Sequence, residues 1–363
     1  MKFTVPKDEL SNGLRKVLSV VSPRTTLPAL NNVLLEAKDD TVQLTTTDLE
    51  VCMQTAVPAT ITEEGSTTLP ARKLGQIINV LPKGEVIMET QENENTTLSC
   101  EQAFFRIVGL SPDEFPQEDV PEGDWAFTLP AGSFRAHLDK VTYARSDEET
   151  QQMLNGVLLS IRDGMLTTAA TDGRRLALLE TSLNAESVSD GDVILPPKAV
   201  AEIQKNMGTE GDIHISLSES RAKFTFDSSI ITTKLIEGTY PNYRQVIPDN
   251  LSRSAVIPKK EFEEVLNRVA LVVSDTSASV RLDFEPSRIT VNATSSEIGE
   301  SKEPVEVSYE GEAVGMSFNP DYLAEPLKQM ESDQVVLQFN DEYTPISLTG
   351  DEGFLYVLMP MRT

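Results

Sequence analysis

One stretch is written three times in this chain, and it limits what the rest can fold into. It reads FTVPKDELSNGLRKVL from Phe3, FTLPAGSFRAHLDKVT from Phe127 and AVIPKKEFEEVLNRVA from Ala255. Pro6, Pro130 and Pro258 hold the same place in each copy. After each proline the apolar residues recur at i, i+4 and i+7: Leu10, Leu14 and Val17, then Phe134, Leu138 and Val141, then Phe262, Leu266 and Val269. That spacing is one face of a helix. The residues before each proline alternate as in a short strand. A helix start tolerates proline because the N–H there has no intrahelical acceptor. The copies lie 124 and 128 residues apart, the size of a domain rather than the roughly 20–50 residues of a solenoid repeat. The sequence therefore predicts three tandem domains of one fold, at 1–122, 123–249 and 250–363.

A second element follows the first in every domain: TLPARKLGQIINVL, ILPPKAVAEIQKNM and FNPDYLAEPLKQM, in which Leu74, Val200 and Leu323 match, as do Leu81, Met207 and Met330. It reads as a second helix. Pro326 should bend or shorten the third copy. Between the helices lie segments of five to seven residues rich in Val, Ile, Thr and Phe and broken by Asp, Asn, Gly and Ser, such as NNVLLEA, TVQLTTTD, AKFTFDS and QVVLQFN. These fit antiparallel hairpins. The expected class is α+β, each domain made of strand, helix and three strands taken twice, with two helices packed on antiparallel sheets. The stretches 110–124 and 237–254, rich in proline and in acidic or polar residues, read as short linkers.

Two cysteines, Cys52 and Cys100, cannot make a disulfide framework. The N-terminus lacks the apolar core of a signal peptide and no apolar run approaches the roughly 20 residues that span a bilayer, so a cytoplasmic location with no membrane partner is expected. Catalysis is not. The two histidines, His137 and His214, fall in a predicted helix and a predicted strand, outside any metal-ligand spacing. No nucleophile elbow, phosphate loop or C-x-x-C pair is present, and no cofactor or metal is expected.

Charge is unevenly placed. The six helical windows together carry +5 while the chain carries −26, which leaves −31 for strands and loops. Helices accommodate Lys and Arg well in any protein. The same pattern also suits helices that line a surface facing a polyanion, held through phosphates without base readout. A rival reading is an acidic tandem-domain scaffold that binds only proteins and encircles no DNA.

Over essentially its full length the chain resembles the bacterial sliding clamps, the beta subunits of DNA polymerase III. The resemblance rests on the threefold repeat and on LPAL preceded by Arg24, LNGVLL, TDGRRLA, YPNYRQVIP and the C-terminal YVLMPMR, in that order. It implies domains of the DNA-clamp fold and a head-to-tail homodimeric ring that encircles double-stranded DNA. It also implies a clamp loader, and replicative and other polymerases and repair proteins that dock through short peptides. Carried over by position, Arg24, Arg72, Lys73 and Lys198, with Arg15 and Lys205, would contact DNA. Met153, Leu154, Thr171, Gly173, Arg174, Arg175, Leu176, Pro241, Val246, Pro345, Val357, Leu358, Met359, Pro360, Met361 and Arg362 would form the partner-peptide pocket. Phe105 and Ile107 would meet Leu271 and Val272 of the other chain at the dimer interface. Gln151, Gln152 and Met153 stand where the family carries basic or aromatic residues, so that loop is not counted among the DNA contacts.

Overall fold

The computed structural model describes residues 1–22, 27–116, 125–148, 150–183, 189–273 and 279–362. The first repeat contains β1 (Lys2–Pro6), α1 (Lys7–Val17), β2 (Asn32–Lys38), β3 (Thr41–Thr47), β4 (Val51–Pro58), β5 (Thr60–Glu63), β6 (Gly65–Pro70), α2 (Ala71–Val80), β7 (Glu85–Thr90), β8 (Asn95–Cys100) and β9 (Ala103–Val108). The second contains β10 (Trp125–Pro130), α3 (Ala131–Val141), a one-turn α4 (Gln152–Asn155), β11 (Val157–Arg162), β12 (Met165–Thr171), β13 (Arg175–Ser182), β14 (Gly191–Leu195), α5 (Pro197–Asn206), β15 (Asp212–Leu217), β16 (Arg221–Phe226) and β17 (Ser229–Lys234). The third contains β18 (Arg253–Pro258), α6 (Lys259–Val269), β19 (Val280–Glu285), β20 (Arg288–Ser295), β21 (Gly299–Glu306), β22 (Val314–Phe318), α7 (Pro320–Gln329), β23 (Gln334–Phe339), β24 (Ile346–Thr349) and β25 (Phe354–Leu358).

The repeated proline works the same way each time. Strand turns directly into helix at Pro6, Pro130 and Pro258. The next backbone N–H, which has no acceptor in the helix, goes instead to the loop after the second helix: Lys7 to Gly84 O at 3.0 Å, Ala131 to Gly211 O at 2.9 Å, Lys259 to Asp333 O at 2.9 Å. One orphan donor at each helix start is thereby satisfied. Leu10, Leu14, Val17, Phe134, Leu138, Val141, Phe262, Leu266 and Val269 are all buried, as the periodicity predicts. Burying each large apolar side chain contributes about 1.5–3 kcal/mol.

The strands form sheets that cross the repeat boundaries. One eight-stranded sheet runs β10-β15-β16-β17-β4-β3-β2-β6 and another β14-β11-β12-β13-β25-β24-β23-β18. A five-stranded sheet (β5-β1-β7-β8-β9) and a four-stranded sheet (β21-β20-β19-β22) take the remaining strands. Because each large sheet draws four strands from one repeat and four from the next, the three repeats group into two compact units. These are Met1–Arg135 with Leu195–Leu235, and Ala136–Ile194 with Ile236–Thr363. No helix among the described residues is long and apolar enough to cross a membrane.

Pro326 does not shorten its helix. α7 runs ten residues, the length of α2 and α5. The N–H that Pro326 lacks would have bonded the carbonyl of Tyr322, and that carbonyl instead accepts the buried Tyr356 hydroxyl at 2.7 Å. Tyr356→Phe is therefore expected to cost about 1–3 kcal/mol, the penalty for an orphaned buried acceptor. Urea unfolding measures this, and an unchanged midpoint contradicts the compensation.

Candidate functional site

The second unit carries an apolar surface built from four chain segments. Its buried floor comprises Leu158, Ala169, Leu176, Leu178, Ile194, Tyr240, Tyr243 and Val357, with Leu154, Ile236, Ile247 and Leu355 packed against it. Of the expected pocket residues, Leu154, Leu176 and Val357 belong to this cluster. Met153, Val246 and Met359, each one or two residues from a member of the cluster, remain 39%, 49% and 44% exposed. Pro241 is also exposed. An exposed methionine beside an apolar floor can adapt to differently shaped side chains.

Local hydrogen bonds fix the rim. The Asp172 carboxylate accepts the N–H groups of Arg174 (2.9 Å) and Arg175 (3.0 Å). The Thr171 hydroxyl donates to Arg175 O and accepts from Gly173 N. Gly173 turns at φ +83° with open space around its Cα, a conformation costly for residues with a Cβ. The Thr171 N–H donates to the Tyr240 hydroxyl at 3.1 Å, and burial pushes the Tyr240 pKa up, so that phenol stays protonated. Met359 N–H donates to Arg174 O at 3.0 Å, which closes the rim against β13.

Other expected pocket residues have different surroundings. Arg175 is buried: it pairs with Asp172 at 3.0 Å and with Glu325, donates to Tyr143 O at 2.6 Å, and lies 4.0 Å over the Tyr322 ring. It braces β13 against α7 and presents no free donor fork to a ligand. Arg174 is exposed. Leu358 alternates away from Val357 and is buried, opposite Ile346, the residue after Pro345. Pro360, Met361 and Arg362 run on to β22, where Met361 N–H bonds Ser317 O at 2.7 Å. With Arg281, Glu342 and Tyr343 they line a separate cavity of about 420 Å³. The residues that sequence reasoning missed are Tyr240 and Tyr243. Their signal was the aromatic spacing in YPNY, a stretch from which only Pro241 and Val246 were assigned to the pocket.

The expected DNA contacts that fall in the described residues all lie in the first unit. Arg15 on α1, Arg72 and Lys73 on α2, and Lys205 on α5 are exposed. Arg15 donates to Asn12 Oδ1 (3.2 Å), Arg72 to Val21 O (3.0 Å) and Lys73 to Gln76 Oε1 (3.2 Å). Lys198 is a strut: its ammonium pairs with Asp48 and donates to Val20 O at 3.1 Å. Burial alone would raise the Asp48 carboxyl, but Lys198 and the N–H groups of Val51 and Glu50 outweigh it and hold the pKa below its usual value. Arg24 lies outside the described residues.

On β9 the alternation sends Phe105 and Ile107 inward and leaves Phe104 (62%) and Val108 (69%) exposed with Arg106. Leu271, on the turn after α6, is exposed and Val272 half-buried. Among the described residues no cluster of His, Cys, Asp and Glu could hold a metal ion.

Three family models match in succession. They describe the DNA polymerase III beta subunit: its N-terminal domain over residues 1–119, its central domain over 128–242 and its C-terminal domain over 244–362. The chain is 32% identical over 362 residues to the beta sliding clamp of Chlamydia muridarum, covering 100% of this chain and 99% of that one. The sliding clamp of Bacillus subtilis superimposes with a TM-score of 0.96 at 28% identity, over 100% of this chain and 99% of that one. The Pseudomonas aeruginosa clamp bound to griselimycin gives 0.96 at 29% identity, over 100% of both chains.

Proposed function

This chain belongs to the DNA polymerase III beta-subunit family along all three of its domains, and from that premise we propose how it works as a sliding clamp. Two copies close head to tail into a ring around duplex DNA, and the ring tethers polymerases and repair proteins that dock by short peptides on the Leu154–Leu176–Val357 surface. The chain is a non-catalytic processivity factor of DNA replication, not a protein-only scaffold. A clamp loader opens the ring, and the work is done in the cytoplasm. Arg15, Arg72, Lys73 and Lys205, with Arg24, face the phosphates, while Lys198 holds α5 in place.

The observation that carries the ring is the rule joining the repeats. β17, last strand of the second repeat, pairs with β4 of the first; β25, last strand of the third, pairs with β13 of the second. Among the described strands, β9 and β21 are the two that this rule leaves without the partner it assigns. A second copy supplies each with that partner, and the rule then holds at all six junctions of the ring.

Register transfers as well. Thr232 lies opposite Cys52. Counted from equivalent hairpins, Arg106 takes the place of Thr232 and Glu300 that of Cys52. Arg106 of one copy thus meets Glu300 of the other, both exposed in the single chain. Opposite charges across an antiparallel pair stabilise it and like charges oppose it.

Arg106→Glu or Glu300→Arg alone is expected to shift the dimer to monomer in sedimentation velocity, and the double reversal to restore it. A monomeric wild type, or a double variant no better than either single one, contradicts this seam.

Held by topology, the duplex needs no tight contact, and phosphate contacts that read no sequence let it slide. The strongly acidic strands and loops repel DNA from the rest of the surface.

A further inference from the structure

Strand alternation makes the apolar floor of the second unit one side of a plate. Leu176 on β13 and Val357 on β25, both in that floor, lie directly opposite each other. Their neighbours Arg175 and Tyr356 point to the other side, where each bonds to α7. Arg175 pairs there with Asp172 Oδ2 at 3.0 Å and with Glu325 of α7. It also donates to Tyr143 O at 2.6 Å and lies 4.0 Å over the Tyr322 ring. Asp172 in turn holds the rim, because its other oxygen accepts the N–H groups of Arg174 and Arg175. A chain of polar contacts thus runs from Glu325 through Arg175 and Asp172 to the turn that edges the floor.

The first repeat builds the same turn without an arginine. Thr47 Oγ1 accepts from Leu49 N, and Asp48 Oδ1 from Glu50 N and Val51 N. Thr171 and Asp172 do the same for Gly173, Arg174 and Arg175. Leu49 turns at φ +76° where Gly173 turns at +83°. Val51 stands in the place of Arg175. The anchoring cation comes instead from the helix, where Lys198 on α5 pairs with Asp48. With Val200 matched to Leu323, Asp321 stands in the place of Lys198 and Glu325 in that of Glu202. Glu202 takes its hydrogen bonds from Ser19 and Asn206. So α5 reaches its turn with a lysine, whereas α7 reaches its turn with an acid and Arg175 bridges the two carboxylates. A guanidinium suits that task, since its fixed fork of donors serves two acceptors where an ammonium is a point charge. The turn forms without this arrangement, so what Arg175 and Glu325 add is its position against α7.

We propose that Glu325, on the far side of the sheet from the floor, is a positioning residue for partner peptides, an inference that rests on the Leu154–Leu176–Val357 docking surface. Through Arg175 and Asp172 it holds the 171–175 turn and the floor strands where a docked peptide meets them. A peptide presses on the turn from one side and α7 restrains it from the other.

The test is fluorescence anisotropy of one labelled synthetic peptide, taken from a replicative polymerase, on the full-length protein. Glu325→Ala and Glu325→Gln are each expected to weaken binding roughly threefold to thirtyfold, the range for residues that act on a site without touching it. Rescue identifies the route. Adding Asp321→Lys to Glu325→Ala gives Asp172 the lysine strut of the first unit, and most of the lost affinity returns. Hydrogen exchange at the Arg174 and Arg175 amides speeds up in Glu325→Ala and slows again in the double variant. Lys140→Gln breaks a buried pair elsewhere in the unit, with Asp351, and is the control for general loosening. It lowers the urea midpoint and leaves peptide affinity unchanged. Wild-type affinity in both Glu325 variants, an equal loss in Lys140→Gln, or a double variant no better than Glu325→Ala overturns the proposal. If the wild type binds and the Glu325 variants match it, only the positioning role fails. If the wild type does not bind the peptide, the docking surface fails and the proposal with it.

Discussion

Removing Met359–Thr363 is expected to abolish capture of a polymerase-derived peptide, with affinity falling at least about a hundredfold, or roughly 2.7 kcal/mol. Met359 is the exposed side chain on the β25 side of the floor, and its N–H ties the tail to Arg174 O. Without it the anchor of an incoming peptide has a wall on one side only, and a short peptide gains most of its affinity from a few desolvated anchors. The fold should survive, because the truncation spares Leu358 and the rest of β25. What is lost is two backbone hydrogen bonds, Met359 N–H to Arg174 O and Met361 N–H to Ser317 O, worth about 1 kcal/mol each. Leu154→Ala is a second probe, since Leu154 is only half-buried and lies outside every strand. Isothermal titration with one peptide measures both variants against wild type. Unchanged affinity in the truncated protein places the partner surface elsewhere.

Local pattern made the helices legible. Proline followed by apolar residues at i, i+4 and i+7 marked α1, α3 and α6 because that face packs on its own domain's sheets. Strand β4 was less legible: VCMQTAVP has few strong strand formers, and its place is decided by pairing with β3 on one side and β17 on the other. Long-range pairing of that kind overrides propensity. It also explains why a triplicated sequence divides into two units, since the joining strands come from different repeats. Pro326 misled for a related reason. Its cost lies in one unpaired carbonyl, and the group that repairs it, Tyr356, is thirty residues away in sequence.

Site residues were legible by type and less so by circumstance. A basic residue in a helix can display its charge, as Arg15 and Lys205 do, or bury it in a local ion pair, as Lys198 does with Asp48. The sequence holds no sign of which, because the partner carboxylate lies 150 residues away. Arg175 repeats the lesson on β13, between Asp172 and Glu325. Lys140 and Asp351, 2.6 Å apart and nearly buried, form a third such strut, in which the Asp351 carboxylate also accepts the N–H groups of Glu331 and Ser332. Such pairs add little net stability over an apolar contact, but breaking one strands a charge, typically at about 3–5 kcal/mol. They fix how strands and helices meet. On β9, side-chain alternation turned the expected apolar pair inward and left Phe104, Arg106 and Val108 on the exposed face.

Retention on DNA by linkage tests the account most directly. Protein loaded on a nicked circular duplex and washed at high salt has its phosphate contacts screened, because affinity falls with nearly the first power of salt for every phosphate neutralised. Only a closed ring is indifferent to that wash. The account predicts that the protein stays on the circle through high salt and leaves within the same wash once a single cut linearises the DNA. Equal loss from circular and linear duplex at the same salt would contradict it.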